Sequence, residues 1–357
     1  MTPLGKELIR LIQQEGPISI ERYMAIVLGD PRYGYYMTRD PFGTQGDFTT
    51  APEISQMFGE LLGLWCADLW IRMDRPTHLS LVELGPGRGT LMQDALRAMQ
   101  RIKGLYEAIS ITLVEISPVL RQAQNQTLAT FGLPVAWQSE ITILPQKPTI
   151  IIANEFFDAL PVRQFQRAKG KWHERLIGLD HENALIFGLA GEAEGYTLPN
   201  APEGTILERC PIGERLMAEL SHHIALYGGA GLAIDYGHPQ SGFGETLQAL
   251  KSHAFVDPLS DPGDADLTTH VDFERLAASA RSEGVLISGP VTQADFLEAL
   301  GIKERALQLK KNAAPDQAMS IDVGLNRLTD RSPKGMGSLF KVLGFRHAEC
   351  PLPAGFV

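Results

Sequence analysis

Four short apolar runs, separated by helical segments, constrain the fold of this 357-residue chain more than any other feature. They read LSLVEL, ITLVEI, TIIIAN and GLAIDYG and begin at Leu79, Ile111, Thr149 and Gly231. Continuous apolar runs of this length are typical of parallel strands that are buried on both faces. Because helical patterns lie between them, the runs predict a doubly wound α/β fold.

Other segments attach to this core. Residues 1–78 predict helices, including a buried helix over Pro52–Trp70, and an aromatic loop of a length that is uncommon without a function. Residues 159–206 alternate apolar and polar side chains between turn signals, which predicts an antiparallel insertion. We therefore expect an N-terminal helical region with an active-site loop over 1–78, a core formed by 79–158 and 207–350 with helical additions, and the insertion between them.

Composition and charge exclude several classes of partner. The formal net charge of -10 argues against nucleic acid or an anionic membrane surface, since both attract clustered basic residues. The three cysteines form no paired motif and predict no metal site. The apolar runs are too short to span a membrane, and the first residues form an amphipathic pattern without the features of a signal peptide or targeting leader. We expect a cytoplasmic protein and leave its oligomeric state open.

The turn ELGPGRGT, Glu83–Thr90, links the first run to a helical pattern. Glycines at alternate positions between strand and helix bring backbone N–H groups close to a ligand. The spacing is neither the G-x-G-x-x-G of dinucleotide sites nor a phosphate loop with Gly-Lys-Ser/Thr. With an acid two positions before the first glycine and a second acid, Glu115, ending the next run, it resembles the first motifs of class I S-adenosylmethionine (SAM)-dependent methyltransferases.

That resemblance implies a role for each part of the turn. The glycines would pass beneath the methionine part of SAM, Glu83 would address its ammonium group, and Glu115 would bind the ribose hydroxyls. The residues expected to bind the cofactor on this side are Glu83, Gly85, Pro86, Gly87, Gly89, Thr90, Glu115 and Ile116.

The third run ends in polar residues, Asn154 and Glu155, followed by two phenylalanines. The carboxyl ends of parallel strands are where α/β sheets bind ligands. Amino-group methyltransferases hold the acceptor nitrogen here with an Asn-Pro-Pro-Tyr motif, and Asn-Glu-Phe-Phe differs from it. The position therefore predicts an acceptor site, with Asn154 also near the cofactor, while the type of acceptor stays open.

Longer blocks extend the resemblance over nearly the whole chain. GDFTTAPEISQMFGE, VELGPGRGTLMQD, VEISPVLRQ, ANEFFDALPVRQF, AIDYG and DPGDADLTTHVDF together resemble the MidA-type methyltransferases, the family of a mitochondrial complex I assembly factor that methylates an arginine. The resemblance implies a Rossmann-like, seven-stranded, mostly parallel sheet with SAM as methyl donor. It further implies that Gly46, Asp47 and Phe48 close the cofactor site. It also implies symmetric dimethylation of an arginine in a protein such as a complex I subunit.

An arginine acceptor requires nearby carboxylates, because its guanidinium is protonated at neutral pH. The carboxylates have to orient the guanidinium and accept the proton that it loses. We expect Asn154 and Glu155 to position the acceptor, with Asp47 next. Further carboxylate candidates are Glu53, Asp158 and Asp235. His270 is either an alternative base or a structural residue. Tyr33, Tyr35 and Tyr36 either stack on a ligand or pack the loop against the core. Three rival functions stay open: a non-catalytic assembly factor, a small-molecule methyltransferase and, against the glycine spacing, a nicotinamide-dependent enzyme.

Overall fold

A computed structural model describes residues 1–38, 49–141, 144–193 and 195–356. The α-helices are α1 (Pro3–Glu15), α2 (Ile20–Gly29), α3 (Tyr35–Thr38), α4 (Ala51–Ile54), α5 (Gln56–Arg72), α6 (Thr90–Met99), α7 (Leu105–Ala108), α8 (Pro118–Leu128), α9 (Pro211–Tyr227), α10 (Phe273–Ser282), α11 (Gln293–Ala299), α12 (Ile302–Lys310), α13 (Pro315–Thr329) and α14 (Met336–Leu339), with a 3-10 turn at Ala129–Phe131. The strands are β1 (Ile18–Ser19), β2 (Leu79–Leu84), β3 (Ile109–Val114), β4 (Val135–Gln138), β5 (Thr149–Asn154), β6 (Arg163–Ala168), β7 (Lys171–Leu179), β8 (Leu185–Glu192), β9 (Ile206–Arg209), β10 (Gly229–His238), β11 (Gln248–Lys251), β12 (Ala254–Val256), β13 (Asp266–Thr268), β14 (Val271–Asp272), β15 (Leu286–Thr292) and β16 (Phe340–Arg346). None of the helices in these ranges combines the length and hydropathy needed to cross a membrane.

The chain divides into two compact units, and the larger one contains the predicted α/β sheet. Its strands run in the order β15-β16-β10-β5-β2-β3-β4, and β14 pairs with the end of β10. The neighbours from β4 through β10 are parallel, whereas β16 is antiparallel to both β10 and β15. Every residue of β2 and β5 is buried, because helices cover both faces of the sheet. The prediction of a doubly wound, Rossmann-like and mostly parallel sheet is confirmed, and the short strand β14 is added to the seven strands in this order.

Helices α5 and α6 pack closely in this larger unit. α5 is apolar around most of its circumference and buries Met57, Phe58, Leu61 and Trp65 in the core. The approach is so close that a Cβ on Gly63 would lie 2.5 Å from the backbone oxygen of Ala95 in α6. Since α6 begins directly after the glycine turn, α5 supports the helix on which that turn depends.

The smaller unit combines N-terminal helices with two groups of antiparallel strands. It comprises the described parts of Met1–Phe48, Asp158–Arg215 and Gln240–His270. In the first sheet β1, β6 and β8 pair with β7, and β9 pairs with β6; in the second, β11 pairs with β12 and β13. The predicted insertion is antiparallel, as its alternating pattern indicates.

The unit boundaries differ from the predicted domain ranges, and the apolar cores explain the difference. Leu8 and Tyr23 of the N-terminal helices share a core with Ile177 of the insertion and Leu267 of β13, so these segments form one unit. By contrast, α4 and α5 belong to the core of the larger unit. The predicted region 1–78 is therefore divided between the two units. Residues 240–270, which were predicted as part of the core, belong to the smaller unit.

Candidate functional site

The glycine turn follows β2 and adopts a backbone that only glycine favours. Gly85, Gly87 and Gly89 have φ angles of +61°, +53° and +83°, in the left-handed region where a side chain is strained. A Cβ on Gly85 would also lie 2.9 Å from the ring of Phe156. Gly89 is the N-cap of α6 and has no side chain to cap the helix. The first-turn N–H groups thus present the positive end of the helix dipole at this turn.

Glu115 lies directly after β3, and hydrogen bonds from other residues of the protein fix its carboxylate. Its Oε1 accepts a hydrogen bond from the N–H of Ser117 (2.8 Å), and its Oε2 accepts one from the side chain of Gln124 (3.1 Å). Each carboxylate oxygen retains capacity for a further donor, such as a ribose hydroxyl. Burial raises the pKa of Glu115, while these two hydrogen bonds oppose the increase. Ile116, the next residue, exposes 49% of its surface and offers an apolar face beside the carboxylate.

Gln124 of α8 is a site residue that the sequence analysis missed. It is fully buried, and its side chain contacts the glycine turn as well as Glu115, since Nε2 also donates to the carbonyl of Gly87 (2.7 Å). A signal was present: Gln124 lies midway between Leu120 and Leu128 at a spacing of four residues, so a polar residue interrupts the buried stripe of the helix.

Glu83 lies near the end of β2 and is 2% exposed. Its Oε2 has no hydrogen-bond partner among the described residues. Burial raises the pKa of this carboxyl group to about 8. A buried acid of this kind is stabilised in its charged form when a cation binds beside it.

The carboxyl end of β5 places Asn154 and Glu155 together. The amide Nδ2 of Asn154 lies 3.3 Å from Oε1 of Glu155, which also accepts a hydrogen bond from the N–H of Ala51 (2.8 Å). Oδ1 of Asn154 is buried without a hydrogen-bond partner in the described part of the chain. Glu155 has a φ of +51°, an uncommon conformation for a residue with a side chain. Such strained positions are concentrated at functional sites.

Asp235 of β10 holds the turn that follows β5. Its Oδ2 accepts hydrogen bonds from the N–H groups of Phe156 (3.1 Å) and Phe157 (2.9 Å), and its Oδ1 accepts one from Tyr236. Asp235 is fully buried. Asp235 therefore orients the backbone that directly follows Glu155, and its predicted part in catalysis stays a prediction.

Helix α4 links the strand ends to the glycine turn. Its residue Glu53 accepts a hydrogen bond from the hydroxyl of Thr90 (2.5 Å), and its other carboxylate oxygen lies 3.9 Å from a guanidinium nitrogen of Arg88. At its start, the N–H of Ala51 is bound by Glu155. The segment just before α4 contains Gly46, Asp47 and Phe48, which lie outside the described residues.

The remaining candidates belong to the smaller unit. Asp158 is buried, and its carbonyl accepts a hydrogen bond from the N–H of Thr269 (2.9 Å). Tyr36 donates a hydrogen bond to Asp266 (2.9 Å) and lies edge-on to the buried Tyr35, which matches the packing interpretation of these rings. The N–H of His270 donates to Thr246, and Arg32 lies over the ring of Tyr33.

The fold and the described site together define a Rossmann-like methyltransferase. The chain belongs to the family described as "Putative S-adenosyl-L-methionine-dependent methyltransferase", whose model matches residues 61–291. The resemblance to MidA-type methyltransferases is thereby confirmed.

Curated relatives match along most of the chain. It is 39% identical to the mitochondrial protein arginine methyltransferase NDUFAF7 homolog of Drosophila melanogaster, covering 95% of this chain and 84% of the relative. It is 36% identical to the mitochondrial protein arginine methyltransferase NDUFAF7 of Homo sapiens, covering 95% and 83%. Similarity of this extent indicates a common fold over both units of the chain.

A solved structure identifies the cofactor class. A "likely methyl transferase" from Burkholderia thailandensis, bound to S-adenosyl-homocysteine (SAH), superposes with a TM-score of 0.85 at 27% identity, covering 99% of this chain and 93% of the other. A native structure from the same organism gives a TM-score of 0.82. The protein is a SAM-dependent methyltransferase.

The residues present fit SAM. The buried Oε2 of Glu83, which lacks a partner among the described residues, suits the ammonium group of the cofactor, and the Glu115 oxygens suit its ribose. The uncapped start of α6 suits its carboxylate. The roles of the individual side chains stay predictions.

Proposed function

We propose that the protein transfers methyl groups from SAM to an arginine side chain of a protein substrate, with symmetric dimethylation as the product. The observation that carries the proposal is the 36–39% identity, over about 95% of the chain, to proteins named protein arginine methyltransferases. The site supports it, since Asn154 and Glu155 provide polar groups at the strand end where acceptors bind.

When bound, SAM supplies an electrophilic methyl group on a sulfonium. The residues of the chain have to align the acceptor and exclude water, which accounts for much of the acceleration in a displacement of this kind. Oδ1 of Asn154 is available to accept a hydrogen bond from the nitrogen to be methylated. Glu155 pairs with the guanidinium and takes the proton that leaves, because it is a carboxylate beside Asn154 that is not fully buried.

A finer part of this proposal concerns the partner. We infer that the substrate is a subunit of a complex I-type assembly, because the resemblance is to assembly factors of that complex. Localisation in the cytoplasm is part of the same proposal. A small-molecule acceptor and a non-catalytic chaperone are the alternatives.

The experiment incubates the full-length protein with methyl-labelled SAM and a lysate of its own source, and identifies labelled species by mass spectrometry. The Glu155→Gln variant serves as a parallel sample. We expect label on an arginine of a protein, absent with the variant. Label on a small molecule would contradict the protein-substrate proposal, and no cofactor-dependent label would favour the chaperone.

A further inference from the structure

The side chain of Gln124 joins three parts of the structure: the glycine turn, the carboxylate of Glu115 and the indole of Trp137. We propose that Gln124 is a positioning residue for SAM, which couples the methionine-binding turn to the ribose-binding carboxylate. This proposal concerns the cofactor and does not depend on the identity of the methyl acceptor.

The chemistry of its three partners fixes the orientation of the Gln124 amide. The indole Nε1–H of Trp137 can only donate, and it lies 2.8 Å from Oε1 of Gln124. The carbonyl of Gly87 and the carboxylate of Glu115 accept, and both lie on the Nε2 side. A flipped amide would set donor against donor and acceptor against acceptor. Trp137 thus determines that the NH₂ group is directed at the cofactor site.

Each bond from that NH₂ group orients one part of the site. The bond to Glu115 fixes one carboxylate oxygen while the N–H of Ser117 fixes the other. The bond to Gly87 fixes the carbonyl of the peptide that joins it to Arg88. Because a trans peptide sets its C=O and N–H in opposite directions, this bond turns the N–H of Arg88 away from α8. Gln124 therefore fixes the position of the N–H groups of the glycine turn relative to the Glu115 carboxylate.

Burial makes this arrangement hard to replace. Gln124 is fully buried on a stripe with Leu120 and Leu128, so water does not take over its hydrogen bonds. A leucine or methionine would serve packing equally well at this position. The polar side chain is therefore explained by its contacts and not by the core.

Calorimetric titration with SAH tests the proposal in the full-length protein. We expect Gln124→Met, which keeps the volume, to weaken SAH binding by about 10-fold to 100-fold, because it removes a hydrogen bond to a carboxylate together with the neutral bond to Gly87. Trp137→Phe leaves Gln124 in place but removes the donor that orients it, and we expect a loss of about 3-fold to 10-fold. Gln93→Met is the matched control, since the side chain of Gln93 in α6 donates to the carbonyl of Thr127.

A double-mutant cycle separates positioning from packing. If Gln124 acts partly through Glu115, Gln124→Met weakens SAH binding less in the Glu115→Ala variant than in the unsubstituted protein, since coupled residues are not additive. Thermal melting without ligand reports folding of each variant, and Trp137→Phe decides the question if Gln124→Met does not fold. Unchanged SAH binding in both single variants, or losses that multiply in the double variant, would overturn the proposal.

Discussion

Two neighbouring parts of one sheet edge differ in how far their side chains are buried and held by hydrogen bonds within the protein. At the ends of β2 and β3, the glycine turn, Glu115 and Gln124 are joined by hydrogen bonds inside the protein. At the end of β5, by contrast, Glu155 is partly exposed and adopts a left-handed conformation. We predict that the first part binds a ligand of fixed shape and that the second contacts another molecule.

This difference predicts separate functions for the two parts. SAM is the same molecule in every reaction of the class, so a rigid, buried site suits it. An acceptor has to enter and leave, which favours accessible polar groups. The comparison predicts that variants of the first part change cofactor binding and that variants of the second change turnover.

The largest effect is expected at Glu155. Glu155→Gln keeps an oxygen for the N–H of Ala51 and loses the charge, so we expect kcat for methylation of an identified acceptor to fall by about 10²-fold to 10⁴-fold, as for other general bases. Affinity for SAH should be unchanged in calorimetry. Glu107→Gln, at an exposed position of α7, is the control. Full turnover by Glu155→Gln would remove it from the chemistry.

Glu115→Ala should have the next largest effect, on the cofactor side. We expect SAH binding to weaken by about 100-fold, because two hydrogen bonds to a carboxylate are lost. Since the side chain also binds Ser117 and Gln124, the free energy of unfolding should fall by about 1–2 kcal/mol. Calorimetry and urea unfolding measure the two quantities. Turnover lost with SAH affinity intact would break the division between the two parts.

The sequence predicted the strands and the main polar positions of this edge. β2 and β5 occupy the predicted runs, because apolar residues buried on both faces leave little ambiguity. The positions of the glycine turn and Glu115 follow from their spacing, and the resemblance to class I SAM-dependent methyltransferases implied their roles. Gln124 and Asp235 are different, since each binds a segment that is distant in sequence: Gln124 binds the carbonyl of Gly87, and Asp235 binds the N–H groups of Phe156 and Phe157. Such roles depend on which strands become neighbours, and the spacing of residues does not contain that information.

Glu83 allows a test of the cofactor side through pH. Burial raises its pKa from 4.5 to about 8. The folded state therefore holds a proton that the unfolded state has released, so stability decreases as the pH rises between these values. From pH 6 to pH 8 the loss attributable to Glu83 is about 2 kcal/mol.

Urea unfolding of the ligand-free protein at pH 6 and pH 8 measures this dependence. Glu83→Gln has no ionisable group at this position. Between pH 6 and pH 8, its free energy of unfolding should therefore fall by about 2 kcal/mol less than that of the unsubstituted protein. Equal pH dependence of the variant and the unsubstituted protein would show that Glu83 is charged before any cofactor binds.

The smallest expected effect is at Thr90, where α4 contacts the glycine turn. Thr90→Val removes the hydrogen bond to Glu53. The Glu53 carboxylate is partly exposed, and Arg88 still lies near it after the substitution. We expect the free energy of unfolding to fall by about 1 kcal/mol. Thr127→Val in α8 is a control with the same change of side chain. A more stable Thr90→Val variant would show that this contact does not hold α4.

The central claim is that SAM binds at the glycine turn with its ribose on Glu115. A crystal structure of the protein with SAH tests this most directly. We predict ribose hydroxyls within hydrogen-bond distance of the Glu115 carboxylate, the homocysteine part against Gly85–Gly89, and the contact between Gln124 and Glu115 preserved. Ligand density elsewhere, or a ribose with no contact to Glu115, would contradict the claim.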